Sequence, residues 1–391
     1  MEQWTVRKTF KYKLTPTAEQ ARELGRVLGR VLGLCRSLYN TALEQRIVVW
    51  QRRRILVSRY QQEAELKDIR AAFPEYAAIH SHILQDVLAR LDKTYQAFFR
   101  RLAAGEKAGL PRYQSRDRWH SFTDKEYGNG ATLDNGFLVL SKIGRITVRW
   151  SRPVEGTPKT VTISREADGW YACFSCVDVP GQPLPPTGQE TGIDLGLEAF
   201  ATLSDGTRIF SPGWYRKAER ALKTAQRRVS RRKKGSHRRR KAVKLLAKAH
   251  QRVRRQRLDF HHKTALTLVR ANDVIYHEDL QVRNMVKNHY HAKSISDAGW
   301  AAFLRILSDK AACAGRSVVA VTPAYTSQRC SGCGRMVWKG LSVRWHHCPY
   351  EDCGTSLHRD HNAAKNIGRL GQSRRGGVAV AASENRESAG L

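Results

Sequence analysis

The sequence predicts a multidomain α+β protein. A small β-barrel or sandwich is interrupted by a helical segment, and an α/β unit with an inserted cysteine module follows. Three observations carry this. Alternating apolar strands open the chain and return after residue 110, with a helical pattern between them. From Thr191 the order becomes strand, turn, strand, helices, strand, helix, which is the alternation of an α/β sheet. Four cysteines then fall as two close pairs near the end of that unit.

The chain has 391 residues, enough for two or three domains. Its 41% hydrophobic content is sufficient for real cores. With 69 Lys and Arg against 35 Asp and Glu, the formal charge is +34. Such an excess strains a compact fold by self-repulsion and calls for a polyanion. Nine Trp set it apart from small histone-like or ribosomal proteins. No apolar run is long enough for a membrane-spanning helix, and the first residues have no apolar signal core. A cytoplasmic, nucleoid-associated protein without a membrane partner is expected.

Residues 4–14 alternate and read as a strand. Thr15-Pro16-Thr17 marks a helix start, and helical spacing runs from Ala18 to about Phe73, with Leu24, Val27, Leu28, Val31 and Leu32 apolar. Gly25, Gly29 and Gly33 lie four apart, the spacing of close backbone packing or of a break near Gly33. A second helix is expected over about Ala77–Leu102. Short strands follow at Phe137–Ser141, Arg145–Trp150, Thr160–Ser164 and Trp170–Val177, and the first strand is expected to join them. Gly181-Gln182-Pro183 reads as a linker. A short helix is expected from about Asp360 to Leu370, before a disordered Gly-, Ser- and Arg-rich tail.

Residues 214–263 hold 21 Lys or Arg against Glu219 and Asp259, a surplus of 19 charges. Two amphipathic helices meeting near Gly235-Ser236 are expected. A solvated face would carry acidic partners at i+4, and almost none exist, so phosphate binding is the better account. The candidate contacts are Arg231, Arg232, Lys233, Lys234, Arg238, Arg239, Arg240 and Lys241. Arg112, Tyr113, Trp119 and Phe122 mix charge with rings suited to stacking on bases, or else belong to the barrel.

Three acids stand out by context. Asp194 lies in Gly192-Ile193-Asp194-Leu195-Gly196 on an apolar strand, Glu278 ends Val274-Ile275-Tyr276-His277-Glu278, and Asp360 opens a helix. Singly, Asp194 also fits a turn and Asp360 an N-cap. Together, two strand-borne acids and one helix-borne acid match the RNase H-like arrangement. There, carboxylates converge on two Mg²⁺ ions for phosphodiester cleavage. Asp205 reads as a turn residue and Asp297 as a helix cap.

Cys330-Ser331-Gly332-Cys333 and Cys348-Pro349-Tyr350-Glu351-Asp352-Cys353 read as two knuckles around a hairpin bearing Val337, Trp338, Val343 and Trp345. Four thiolates suit a closed, tetrahedral Zn²⁺. The second knuckle is two residues longer than usual, and His346 or His347 is an alternative ligand. Cys35 and Cys313 read as buried, and Cys173 and Cys176 face opposite sides of a strand.

Taken together, these residues resemble the TnpB family of insertion sequences. The resemblance rests on Tyr12-Lys13-Leu14-Thr15-Pro16, Gly192-Ile193-Asp194-Leu195-Gly196, Ser230-Arg231-Arg232-Lys233-Lys234-Gly235-Ser236 and Ser294-Ile295-Ser296-Asp297-Ala298-Gly299-Trp300. It also rests on Thr326-Ser327-Gln328-Arg329-Cys330-Ser331-Gly332-Cys333-Gly334 and His358-Arg359-Asp360-His361-Asn362-Ala363-Ala364-Lys365-Asn366-Ile367. It implies a wedge β-barrel over 1–15 and 110–180, a helical recognition domain over 16–109 and a linker over 181–190. It further implies a RuvC nuclease domain over 191–325 and 356–370, a zinc ribbon over 326–355 and a tail over 371–391. The implied activity is Mg²⁺-dependent, RNA-guided cleavage of double-stranded DNA beside a short flanking motif. A guide RNA from the element end is the implied partner, and a monomer or a dimer fits equally. The alternatives are a guided regulator that does not cut and an RNase H-like transposase that needs no RNA.

Overall fold

The computed structural model describes residues 4–15, 17–340 and 342–387 of the chain, which form two compact units, 1–180 and 181–391. Residues 1–3, Pro16 of the expected helix start, Leu341 and the last four residues lie outside this description, as do the side chains of Ala18, Gln20, Glu23, Leu24 and 376–387.

In the first unit, strand β1 (Thr5–Leu14) is followed by helices α1 (Ala18–Arg53), α2 (Arg59–Ala64), α3 (Leu66–Ala72), α4 (Pro74–Ala77) and α5 (Ser81–Ala103). Strands β2 (Ser121–Asp124), β3 (Ala131–Asp134), β4 (Phe137–Leu140), β5 (Gly144–Arg149), β6 (Thr157–Glu166) and β7 (Gly169–Pro180) complete it. They make one antiparallel sheet in the order β2-β6-β7-β1-β5-β4-β3. The expected N-terminal strand is therefore central, between β7 and β5, with the helices inserted after it. Tyr127 nearly closes the sheet into a barrel: its N–H donates to Lys159 O in β6, while it bridges to Ala131 in β3.

Alternation along β1 buries Phe10, Tyr12 and Leu14. These side chains belong to the same core as Leu28, Leu32 and Leu43 of α1 and Leu84, Leu88 and Leu91 of α5. Barrel and helices thus share one apolar interior. Helix α1 runs unbroken through Gly33. A Cβ at Gly25, Gly29 or Gly33 would meet nothing within 4 Å, so these glycines do not mark close packing. They line an open cavity with Arg26, Arg30, Arg36, Arg116 and Arg165.

The second unit begins with residues 181–190, the expected linker, laid against the unit itself. Gln182 and Leu184 donate to Cys313 O and Ala314 O, and Thr187 and Gly188 donate to the Asp273 carboxylate. Strands β8 (Glu190–Asp194), β9 (Ala201–Leu203) and β10 (Arg208–Ile209) lead to helices α6 (Trp214–Ser230) and α7 (His237–Ala271). Strand β11 (Val274–Glu278), helices α8 (Val282–Met285), α9 (Ala292–Ala298) and α10 (Trp300–Cys313) and strand β12 (Ser317–Val321) follow. The sheet order is β10-β9-β8-β11-β12, with β8, β11 and β12 parallel and β9 reversed.

The cysteine module contains β13 (Trp345–His347) and β14 (Ser356–His358), which pair across the second knuckle. The expected hairpin between the knuckles is not built that way. Among the described residues of 337–344 no strand forms, because backbone groups there bond to side chains: Lys339 to Gln328, and Gly340 O to Arg359. Helix α11 (Arg359–Glu387) ends the chain and continues far beyond Leu370, through the expected tail. Its extension is tied down by Arg374, which donates to Ala320 O and Thr322, and by Arg375, which pairs with Glu190 at 2.7 Å.

Candidate active site and metal centre

Strand geometry alone brings two acids side by side. β8 and β11 are parallel neighbours with His277 opposite Ile193, so Asp194 and Glu278 end their strands at the same level. The carboxyl ends of parallel strands are where open α/β sheets bind ligands. Asp360 arrives on α11, which lies unusually close to β8. A Cβ at Gly192 would sit 2.1 Å from Ala364 O and 2.5 Å from Gly368 N. Glycine at 192 and 368 lets the helix backbone rest on the strand, and Asp360 then sits within reach of the strand end.

The three acids line one cavity of about 540 Å³, with Thr326, Arg344 and Arg359 among its other walls. Burial pushes the Asp194 carboxyl well above its ordinary range, and Glu278 and Asp360 raise it further; Arg359 and Arg344 oppose the shift. Burial also raises Glu278, against a hydrogen bond donated by Thr326 Oγ1. A crowded anionic pocket of this kind is relieved by a cation, and an all-oxygen donor set suits a hard divalent ion such as Mg²⁺. Asp360 occupies the first turn of α11 rather than its cap, with its N–H donating to His358 Nδ1.

Several residues of this site carry no signal strong enough to read from sequence. Buried Asn362 and Asn366, one turn apart on α11, donate to Arg329 O, and Asn366 also donates to Thr326 O. They lock the helix to the loop that holds Glu278 in place. Glu198 joins His358 and Asp360 in a further cluster and pairs with Arg208 and Arg344. The repeated Asn at i and i+4 beside alanines was the one visible hint. Asp205 is the expected turn residue, accepting from Thr207 N–H. Asp297, expected as a helix cap, accepts from Tyr215 N–H in the first turn of α6, while Gly299 precedes α10.

The four expected thiolates converge. Cys330, Cys333, Cys348 and Cys353 have their sulfurs within 4.8 Å of one another. The Cys330–Cys353 and Cys333–Cys348 separations are 3.6 and 3.7 Å. Tetrahedral Zn²⁺ with Zn–S bonds of about 2.3 Å needs edges of about 3.8 Å, so the donor set fits that ion. His346 instead faces Lys339, and His347 faces Ser356. Of the other cysteines, Cys35 and Cys176 are buried, while Cys313 is only half-buried.

α6 and α7 form the expected basic pair, turning at Gly235 (φ 84°). Arg231, Arg232, Lys233, Lys234, Arg238, Arg240 and Lys241 are exposed. Arg239 is not equivalent to them. Its guanidinium donates to Val229 O and Arg232 O, satisfying carbonyls at the end of α6. In the first unit Arg112 and Tyr113 are exposed on a loop pinned by Asn40 to Gln114. Trp119 and Phe122 are 7% and 1% exposed and belong to the core, which removes them as stacking surfaces.

An α/β sheet ending in converging acids, with a four-thiolate cluster and a basic helix pair, defines a class of nucleic-acid-directed proteins. Comparison with known proteins narrows it. The family model described as "Probable transposase" matches residues 173–289, and "Cas12f1-like, TNB domain" matches 300–367. A "Helix-turn-helix domain" model matches 1–54, whose described residues include one strand, Thr5–Leu14, and one continuous helix, Ala18–Arg53. A proposed RNA-guided DNA endonuclease of Streptomyces pristinaespiralis is 39% identical over 93% of this chain and 89% of its own. The proposed RNA-guided DNA endonuclease InsQ of Escherichia coli K12 is 33% identical over 73% of each chain. The chain also shares its fold, at TM-score 0.58 and 14% identity, with the protein in a cryo-EM structure of a Cas12f1–sgRNA–target DNA complex; the match covers 93% of this chain and 99% of that one. The chain belongs to the TnpB family. Among the described residues no helix is long and apolar enough to cross a membrane.

Proposed function

We propose that this protein is an RNA-guided DNA endonuclease that cuts double-stranded DNA beside a short flanking motif. Asp194, Glu278 and Asp360 are its catalytic carboxylates, in a RuvC-type domain formed by 191–325 and 356–370. The observation that carries the reading is that acids from positions 194, 278 and 360 share one cavity at the carboxyl end of the sheet. Its relatives' names supply the substrate class.

Asp194, Glu278 and Asp360 would hold two Mg²⁺ ions, which activate a water and stabilise the leaving oxygen when bound. The protein's own contribution is positioning. Thr326 orients Glu278, Asn362 and Asn366 hold α11, and Arg344 and Arg359 supply positive charge at the cavity wall. The zinc ribbon of 326–355 fixes the loop carrying Thr326 and brings Thr326 and Arg344 to the cavity wall, while its four thiolates supply no ligand to the carboxylate site. The exposed cations of α6 and α7, with Arg112 and Tyr113, are the contacts to guide RNA and target backbone. Base pairing reads the sequence, so the protein needs phosphate contacts more than base contacts.

Sequencing the RNA that co-purifies with the protein expressed with its flanking DNA tests this reading. One dominant species, which then directs Mg²⁺-dependent cutting of a matching target, is expected. Heterogeneous RNA with no guided cutting would favour a guide-free transposase.

A further inference from the structure

We infer that His80, His82 and Asp124 form a second metal centre, in the first unit, that takes Zn²⁺ and staples helix α5 to the barrel. His80 is the residue at the N-terminus of α5, His82 lies in its first turn, and Asp124 ends β2. One ligand atom from each falls within 4.8 Å of the others.

The separations fit a metal better than a hydrogen bond. His80 Nδ1 lies 3.5 Å from Asp124 Oδ2, and His82 Nδ1 lies 3.7 Å from Asp124 Oδ1. A hydrogen bond would bring such atoms to about 2.7–3.2 Å. Tetrahedral Zn²⁺ with bonds of about 2.0–2.1 Å needs edges of about 3.3 Å; the His80 edge to Oδ2 is 3.5 Å, while His82 faces the other oxygen and would turn toward Oδ2 to share the ion. His80 Nδ1, His82 Nδ1 and Asp124 Oδ2 are all buried and have no hydrogen-bond partner among the described residues. A buried carboxylate oxygen left bare costs free energy unless a cation or donor meets it.

Two further features point to a built site. On its other edge His82 meets Glu126, Nε2 to Oε2 at 3.2 Å. A ring nitrogen donating to a carboxylate leaves the opposite nitrogen free to ligate, the usual outer support of a metal-bound histidine. Gly130 walls the cluster. A Cβ there would fall 1.8 Å from Asp124 Oδ2 and 2.7 Å from His80 Nδ1. Its φ is not in the left-handed region, so backbone freedom does not explain this glycine. The space it leaves between the donors does. The side chains of His80, Asp124 and His82 are only 14%, 3% and 14% exposed, which suits a structural ion rather than a reacting one.

The ion would act where α5 meets the sheet. Arg90 already bonds to Ser121 and Thr123 of β2 from the next part of the helix. A metal at 80, 82 and 124 fixes the helix start as Arg90 fixes its middle.

The test measures zinc in tag-free, full-length protein equilibrated with Zn²⁺. Wild type, Asp124→Asn, His82→Gln and the double variant Cys330→Ser/Cys333→Ser are compared, with circular dichroism as the folding control. Asp124→Asn and His82→Gln should each bind one zinc fewer than wild type, while the cysteine variant keeps one. Folded Asp124→Asn and His82→Gln with the wild-type zinc content would overturn the inference. X-ray absorption on zinc-saturated wild type needs no variant. Zn–N/O distances near about 2.0–2.1 Å beside the Zn–S shell are expected, and a sulfur-only shell would overturn it.

Discussion

Gly192 lies in β8 where α11 crosses it, and a methyl group there has no room. Its position would be 2.1 Å from Ala364 O, whereas ordinary contact begins at 3.4 Å, so helix and strand must part by about 1.3 Å. The atoms it would meet, Ala364 O and Gly368 N and Cα, are all backbone, so no side-chain rotation relieves the clash. Asp360 is on the same helix, one turn before Ala364. Gly192→Ala should therefore move Asp360 away from Asp194 and Glu278 by about the same distance. Overpacking of this size costs about 1–3 kcal/mol of stability, which a domain of this size survives. Misplacing a catalytic group by about 1 Å costs about 10²-fold in rate. The assay is single-turnover cleavage with reconstituted guide RNA, alongside RNA binding and zinc content. Cleavage should fall about a hundredfold while RNA affinity holds. Gly29→Ala is the control: its Cβ is in open space within α1, and the helix should gain up to about 1 kcal/mol. A folded Gly192→Ala protein cutting at the wild-type rate would refute the claim that close helix–strand contact sets the site.

The remaining predictions concern charge, zinc and pH. Replacing Arg240 and Lys241 by Gln should lower the salt slope of nucleic-acid binding by about 0.7–0.9 per lost phosphate contact, from a wild-type slope steeper than about −3. Arg239→Gln should leave that slope intact and instead lower thermal stability, because Arg239 caps α6; an unchanged melting temperature counts against the cap. Cys330→Ser or chelation of zinc should open residues 326–357 to proteolysis, and unchanged digestion would argue against a thiolate-bound ion. His261 is buried among Phe200, Phe260 and Phe303, and burial holds its imidazole below the usual value. The unfolded chain takes a proton near pH 6.5 that the folded one refuses, so stability falls as pH drops below that range. His261→Gln should flatten this part of the stability–pH curve, and a curve identical to wild type would sink the assignment.

The strands and the two thiolate knuckles were readable because their signals are local. Alternation along residues 4–14 and the Cys-x-x-Cys spacing each lie within a short window. The acids were readable because a carboxylate in an apolar strand is out of place, as Asp194 is between Ile193 and Leu195. What escaped depends on tertiary contact. Whether Gly25, Gly29 and Gly33 pack or lie open is decided by neighbours, and here they lie open. Trp119 and Phe122 follow a basic stretch, yet both are buried: Phe122 lies on the inner side of β2, which pairs with β6, and Trp119, just before β2, packs against Tyr39 of α1. Helix α11 continues past Leu370 because Gly371 lies against Tyr276 and Arg374 and Arg375 reach the sheet. The His80–His82–Asp124 cluster joins positions more than forty residues apart, with nothing in the local spacing to mark it.

In the proposed function Asp194, with Glu278 and Asp360, carries out the cutting of DNA. Single-turnover cleavage of a matched target by the Asp194→Ala protein, with guide RNA and Mg²⁺ supplied, tests it most directly. Loss of cutting with unchanged RNA binding is the predicted result. Cutting at the wild-type rate would place the chemistry elsewhere in the chain.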